Sequence, residues 1–153
     1  MARYSEQGLA ELSFPSVGTP RCGIRTSPRD VPTNICVWHR ATEAALKNIL
    51  AGRKPVNLPP LDLAGTEFQK SVWNALRKIA LGKTKSYSEI AQAIGRPKAV
   101  RAAGGACGAN PVPVLVPCHR VLAANKKLGG FSGGLDWKRK LLKREGVNLK
   151  SAG

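Results

Sequence analysis

The sequence predicts an α/β chain in two unequal parts, the second of them built around a helix-turn-helix. Two capping-box patterns open short amphipathic segments after residue 65, and glycine closes each one. A proline-rich connector, Pro55 to Pro60, separates them from a stretch of weaker periodicity. Basic residues crowd behind that connector. Residues 61–153 hold 17 basic and 5 acidic side chains, a net of +12, whereas residues 1–60 hold 8 and 4. We therefore place a boundary at residue 60, giving parts 1–60 and 61–153.

In the first part, residues 8–14 alternate enough for a short strand. Prolines 15, 20, 28 and 32 then break any regular element, so residues 15–35 are expected to be loop. Residues 41–50 are expected to be helical, ended by Gly52.

In the second part, Thr66-Glu67-Phe68-Gln69 opens a helix with Phe68, Val72, Leu76 and Ile79 along one face, and Gly82 closes it. Ser86-Tyr87-Ser88-Glu89 opens a second helix, running through Ile90 and Ile94 to Gly95. Pro97 suits the first turn of a third, which continues through Arg101 towards Cys107. Two short helices joined at Gly95-Arg96 meet the requirement of a helix-turn-helix. The second of the pair is rich in small residues, including Gly104 and Gly105, which are poor helix formers. Close approach to another surface would reward them, and a DNA groove and a neighbouring helix both qualify. Residues 111–117 read as a buried apolar strand framed by prolines, residues 129–134 as a loop, and residues 136–145 as a basic helix stopped by Gly146.

The chain carries 25 Lys plus Arg and 9 Asp plus Glu, net +16. Such an excess favours a polyanion partner, because phosphate contacts release condensed counterions. A solubility or high-temperature adaptation is the competing reading. The four cysteines, Cys22, Cys36, Cys107 and Cys118, form no C-x-x-C pair, and the opening residues show no apolar signal-peptide pattern. A reducing cytoplasmic compartment is expected, or the nucleus in a eukaryote. No apolar run approaches the ~20 residues of a membrane span, so no membrane association is expected.

Cys118 is followed at once by His119 and Arg120. A thiol attacks well only as thiolate, and a free cysteine with a pKa of ~8.5 is mostly protonated at neutral pH. An imidazole that takes the proton, with a third group to orient it, would activate the sulfur. Glu145, at the end of the last helix, is the best candidate for the third group. A buried small hydrophobe is the alternative for Cys118, and the two residues' adjacency does not decide between them.

The stretch Asn110-Pro-Val-Pro-Val-Leu-Val-Pro-Cys118-His119-Arg120-Val121 resembles the active-site signature of the O6-alkylguanine-DNA alkyltransferases. The similarity extends through Phe68 to Trp73, Ser86-Tyr87, Pro97 to Ala106, Gly130 to Leu135 and Glu145-Gly146. It implies a shortened ribonuclease-H-like α/β amino-terminal domain, followed by a helix-turn-helix, winged-helix-type domain. It also implies direct-reversal repair, in which an alkyl group moves irreversibly from O6-alkylguanine in double-stranded DNA to Cys118. O4-alkylthymine is left open as a second substrate.

By the same resemblance His119 and Glu145, linked through an ordered water, would deprotonate Cys118. Asn110 would act as a hinge, and Tyr87 would help rotate the nucleotide and protonate the departing guanine. Arg101 would enter the base stack, and Ser132 would wall the pocket. Arg96, Ser88 and Gln69 are the remaining candidate DNA contacts. The reaction calls for no metal and no organic cofactor. A monomer is expected, with cooperative assembly on DNA left open. The family usually has Tyr where this chain has Phe131, which removes any hydrogen bond from that position. Some relatives hold zinc in the amino-terminal half; Cys22, Cys36 and His39 are possible ligands here, but no metal is assigned. Cys107 is assigned to packing. A non-catalytic DNA-binding module and a thiol hydrolase or peroxidase are the competing classes, and the joint presence of Cys118, His119, Asn110, Tyr87 and Glu145 argues against the first.

Overall fold

Both capping boxes form as the sequence dictates. Thr66 accepts a hydrogen bond from the Gln69 amide at 3.2 Å while Gln69 Oε1 accepts from the Thr66 amide at 2.9 Å, opening α2 (Glu67–Arg77). Ser86 and Glu89 do the same for α3 (Tyr87–Ala93). Such caps satisfy amide donors that a helix start otherwise leaves open. The computed structural model describes residues 1–13 and 33–147.

In chain order the elements are β1 (Ala2–Tyr4), β2 (Leu9–Leu12), α1 (Thr33–Leu50), α2, β3 (Lys85–Ser86), α3, α4 (Val100–Gly108), β4 (Val121–Leu122) and α5 (Leu135–Arg144). The strand expected over residues 8–14 is one arm of an antiparallel hairpin, β1 with β2. Residues 33–35, expected in the loop, open α1, which starts eight residues before the helix read from the sequence. The rest of the expected loop lies outside the described residues.

α4 also departs from expectation. It begins at Val100, three residues after Pro97, because Pro97 and Lys98 form a turn and Ala99 takes the N-cap position with no side-chain hydrogen bond. Residues 112–117 are buried as expected, with Pro111 partly exposed, but residues 111–117 do not form a strand. They fold into a tight turn closed by a Pro113–Val116 bridge, with Val114 at φ +77°. Prolines 111, 113 and 117 lack the N–H groups that a strand ladder needs.

The core joins both parts of the chain. Leu9, Ala45 and Ile49 pack in one cluster with Val72, Trp73, Leu76, Ile90, Val112, Val116 and Leu141. Hydrogen bonds cross between the parts: the Leu9 amide to the Pro60 carbonyl at 2.8 Å, and the Leu12 amide to the Pro111 carbonyl at 2.7 Å. Trp73 Nε1 donates to the Ala106 carbonyl at 2.8 Å and so fastens α4 to α2. The helices α2, α3 and α4 pack on one another, with α3 and α4 joined through Gly95-Arg96. No helix of the described residues is long and apolar enough to cross a membrane.

Candidate active site

The short parallel pair β3–β4, Lys85 with Val121 and Ser86 with Leu122, assembles the site. It lays the residue that follows β3, Tyr87, alongside the segment that precedes β4, Cys118 to Arg120. That segment is a turn of 3₁₀ helix rather than the end of a strand. Cys118, His119 and Arg120 are all buried.

A cavity of about 360 Å³ opens onto Cys118 and is also lined by Tyr87, Cys107, Phe131 and Ser132. Its glycine-rich wall is required locally. Gly129 has φ +62°, and a Cβ there would come within 3.1 Å of the Tyr87 hydroxyl. The Tyr87 ring and that loop are therefore fitted to each other.

Behind Cys118 lies a buried charge network. Glu145 Oε1 lies 3.0 Å from His119 Nε2 and 2.8 Å from an Arg120 terminal nitrogen, while Arg120 Nε donates to Oε2 at 2.9 Å. The remaining Arg120 edge donates to the Ile79 carbonyl at 2.6 Å. Burial alone would raise the Glu145 pKa, but the hydrogen bonds from His119 and Arg120 and the positive charge of Arg120 outweigh it and hold Glu145 down to about 2. Burial pushes the His119 pKa down, against the opposing pull of Glu145, so the imidazole is neutral. An anionic Glu145 then fixes the proton on Nε2 and leaves Nδ1 as the basic nitrogen. Nδ1 is buried and has no hydrogen-bond partner. The Phe131 ring packs edge-on against His119 at 6.3 Å between centroids, keeping the aromatic contact without a hydroxyl.

Asn110 holds the proline-rich turn from both sides. Its Nδ2 donates to the Val116 carbonyl at 2.9 Å, and its Oδ1 accepts from the Val112 amide at 3.0 Å. Burial raises the Cys118 pKa, opposed by hydrogen bonding from the Asn110 side chain and by the charge of Lys138. Burial and the nearby thiols likewise raise the Tyr87 hydroxyl, which therefore stays protonated at neutral pH.

The structure thus brings together Cys118, His119, Glu145, Asn110, Tyr87 and Ser132. Arg101 and Ser88 are exposed on α4 and α3, away from the cavity lining. Arg96 sits in the turn with its guanidinium 5.8 Å from the Phe68 ring centroid. Gln69 is engaged in the α2 cap. Cys107, assigned to packing, is buried as expected but also lines the cavity, and burial raises its thiol to about 12. Cys22 lies outside the described residues, and no cluster of metal-ligating side chains occurs among the described residues.

Two buried charged side chains at the site, Arg120 and Lys138, escape the sequence reading. The network role of Arg120 gives no sequence signal beyond its place after His119. Lys138 does give one: Lys138, Leu141, Leu142 and Glu145 fall at i, i+3, i+4 and i+7, the spacing of a buried stripe on α5.

Residues 67–147 match the family model for the 6-O-methylguanine DNA methyltransferase DNA-binding domain. The chain belongs to this family. Among the members of the 6-O-methylguanine DNA methyltransferase family, the methylated-DNA–protein-cysteine methyltransferase of Methanosarcina acetivorans is 61% identical over 82 residues, 54% of this chain and 53% of that protein. The chain spans about half the length of the curated relatives it matches. The fold resembles that of a single-substitution variant of the Mycobacterium tuberculosis O6-methylguanine methyltransferase, with a TM-score of 0.68, 34% identity, and coverage of 98% of this chain and 93% of that one. Mycobacterium tuberculosis OGT in complex with DNA gives a TM-score of 0.66 at 47% identity, covering 69% and 66%. This likeness is to α/β family members. Within it, the described amino-terminal elements here are one hairpin and one long helix.

Proposed function

We propose that this chain is a direct-reversal DNA repair protein that moves an alkyl group from O6-alkylguanine in duplex DNA onto its own Cys118 and acts once. The observation that carries this reading is the buried His119–Glu145–Arg120 network behind a cavity-lining cysteine. An ordered water at the unpartnered His119 Nδ1 would take the thiol proton to the imidazole. The thiolate sulfur then forms a bond to the alkyl carbon as the carbon–O6 bond breaks. Tyr87, held protonated, supplies a proton to the departing guanine. The product is a thioether, which no group here can cleave, so turnover stops.

The target carbon lies inside a stacked duplex, and the base must be flipped out at a cost of a few kcal/mol. α4 suits a DNA groove: it presents Arg101 and an outer face of small residues, Ala102, Gly105, Gly108 and Ala109. Arg101 would fill the space of the extruded nucleotide, and Ser132 would wall the pocket around it. Arg96 and Ser88 would contact phosphate, and Gln69 would keep only its amide nitrogen for that purpose. In this reading residues 61–153 read the DNA and accept the alkyl group, while residues 1–60, a reduced counterpart of the family's ribonuclease-H-like domain, support them. The protein would act as a monomer in the cytoplasm, or in the nucleus of a eukaryote, with cooperative assembly along DNA and O4-alkylthymine as extensions to test.

Intact-protein mass before and after incubation with an O6-methylguanine duplex tests the proposal. One added methyl, located on the peptide containing Cys118, is the expected result. An unchanged mass under conditions where the duplex is bound would leave a binding module instead. Arg101→Ala is expected to slow repair of duplex DNA by about a hundredfold while leaving reaction with free O6-benzylguanine near the parent rate. A flipping cost of a few kcal/mol falls only on the duplex. Equal loss on both substrates would contradict the role of Arg101.

A further inference from the structure

Two carbonyls at the end of α5 press on glycines from other parts of the chain. The helix closes in a Schellman motif, in which the Gly146 amide donates to the Lys143 carbonyl at 3.1 Å and the Val147 amide to the Leu142 carbonyl at 2.9 Å. The next two carbonyls, of Arg144 and of Glu145 itself, each meet a glycine of positive φ. A Cβ at Gly52 (φ +71°) would lie 2.3 Å from the Arg144 oxygen, and one at Gly82 (φ +73°) would lie 3.0 Å from the Glu145 oxygen. Gly52 stands just after α1, and Arg144 Nη1 returns a hydrogen bond to the Leu50 carbonyl there at 2.7 Å. Gly82 stands in the turn after α2, closed by the Lys83 amide donating to the Ala80 carbonyl at 3.1 Å.

This second turn meets both halves of the buried ion pair. The Ile79 carbonyl leading into it accepts from Arg120 at 2.6 Å, while Gly82 receives the Glu145 backbone. The chain then enters β3, where Lys85 pairs with Val121, the residue after Arg120. Glu145 has little room to move: its carboxylate oxygens lie 3.0 Å from His119 Nε2 and 2.8 and 2.9 Å from Arg120. A Cβ at 3.0 Å demands a shift of a few tenths of an ångström. Passed on to the carboxylate, that shift takes the His119 contact beyond the ~3.2 Å edge of the usual hydrogen-bond range.

We propose that Gly82 is a positioning residue for alkyl transfer: having no side chain, it lets the turn after α2 seat the Glu145 backbone where the carboxylate reaches both His119 and Arg120. Gly52 bears on the neighbouring carbonyl in the same way, so the end of α1 shares in placing Glu145. The assignment rests on Cys118 being the alkyl acceptor and His119 its base. Turn geometry alone does not account for the close approach. Gly95 has φ +72°, yet a Cβ there would meet nothing within 4 Å. Alanine incurs the left-handed strain at either position, and only at Gly82 does it also push on Glu145.

The test compares the full chain with Gly82→Ala, Gly82→Asn and Gly95→Ala. The probe is the His119 Nε2 proton, read by NMR in protein with isotope-labelled histidine. The chain has two histidines, and His39→Gln identifies the other signal. Bound to an anionic carboxylate, the parent proton should resonate far downfield. It is expected to move upfield in both Gly82 variants and to stay in place in Gly95→Ala. The maximal rate of benzyl transfer from free O6-benzylguanine should fall about tenfold in the Gly82 variants, with half-saturation changed less than about twofold, because the base is misplaced while the pocket is intact.

An unmoved proton in a folded Gly82 variant would overturn the proposal. So would an equal shift in Gly95→Ala, which would trace the effect to turn strain rather than contact. Should Gly82→Ala fail to fold, Gly82→Asn carries the test, since asparagine enters the left-handed region more readily and brings the same Cβ. The proton signal needs no alkyl donor. A shifted signal in a protein that accepts no alkyl group would therefore sink the acceptor reading and leave the Gly82 assignment standing.

Discussion

Replacing Cys118 by serine is expected to abolish alkyl transfer while leaving binding to alkylated duplex DNA intact. The substitution changes one atom in a side chain that is 5% exposed, so the fold should lose only about 1 kcal/mol. The chemistry has no such tolerance. A hydroxyl holds its proton far more tightly than a thiol, and a neutral imidazole backed by Glu145 cannot strip it without a carbonyl-type electrophile to drive the step. Sulfur is also the softer nucleophile towards an alkyl carbon. Electrophoretic binding and intact mass on the same preparation check the prediction. Transfer that persisted in the serine variant would place the nucleophile elsewhere, with cavity-lining Cys107 the first residue to examine.

The second large effect is expected at Glu145, where stability and chemistry should fail together. Its carboxylate is the shared acceptor of Arg120 and His119, and its side chain is fully buried. Glu145→Gln leaves the guanidinium buried without a counter-charge, at a cost of about 3–5 kcal/mol. It also presents an amide that cannot satisfy both partners, so the His119 tautomer is no longer fixed. Loss of proper general-base geometry should slow transfer by about a hundredfold or more.

Acid titration should show the same carboxylate at work. The folded-state pKa near 2 lies below the ordinary value of 4.5, so the contribution of Glu145 is fully present above about 4.5 and is lost as pH falls through that interval towards 2. The shift corresponds to about 3 kcal/mol. Urea unfolding of the parent should therefore weaken between those limits by that amount more than the Gln variant does. Coincident acid profiles would show that Glu145 carries no such linkage.

Much of this arrangement can be read from the chain, and the rest is hidden for definite reasons. Helix starts at Thr66 and Ser86 are legible because a capping box is a local exchange of two hydrogen bonds, indifferent to tertiary context. The stop at Gly146 is legible too, since glycine there takes φ +77° after Glu145. Residues 111–117 mislead because apolar composition resembles a strand, while their prolines forbid the ladder and Asn110 supplies a different frame. β3 and β4 are two residues each, too short for any period, so the pairing that brings Tyr87 to Cys118 leaves no trace. The early start of α1 is masked by exposed positions such as Val37, which break an apolar stripe.

The site follows the same division. Cys118, His119 and Glu145 can be found because each chemical type implies the next. Lys138 escapes notice because a lysine on a basic helix invites a solvent-facing assignment, although its position in the stripe points inward. Gln69 shows the converse. Its sequence position suggests a DNA contact, yet its carbonyl oxygen closes the α2 cap.

One bond crosses from the amino-terminal hairpin to the site, from the Leu12 amide to the Pro111 carbonyl. Pro111 directly follows Asn110, whose side chain frames the turn that delivers Cys118. The hairpin, which lines no part of the Cys118 cavity, therefore holds one end of the frame that positions Cys118. A shift in the hairpin's backbone would therefore reach the frame of the cysteine turn through a hydrogen bond that no side-chain substitution at Leu12 removes.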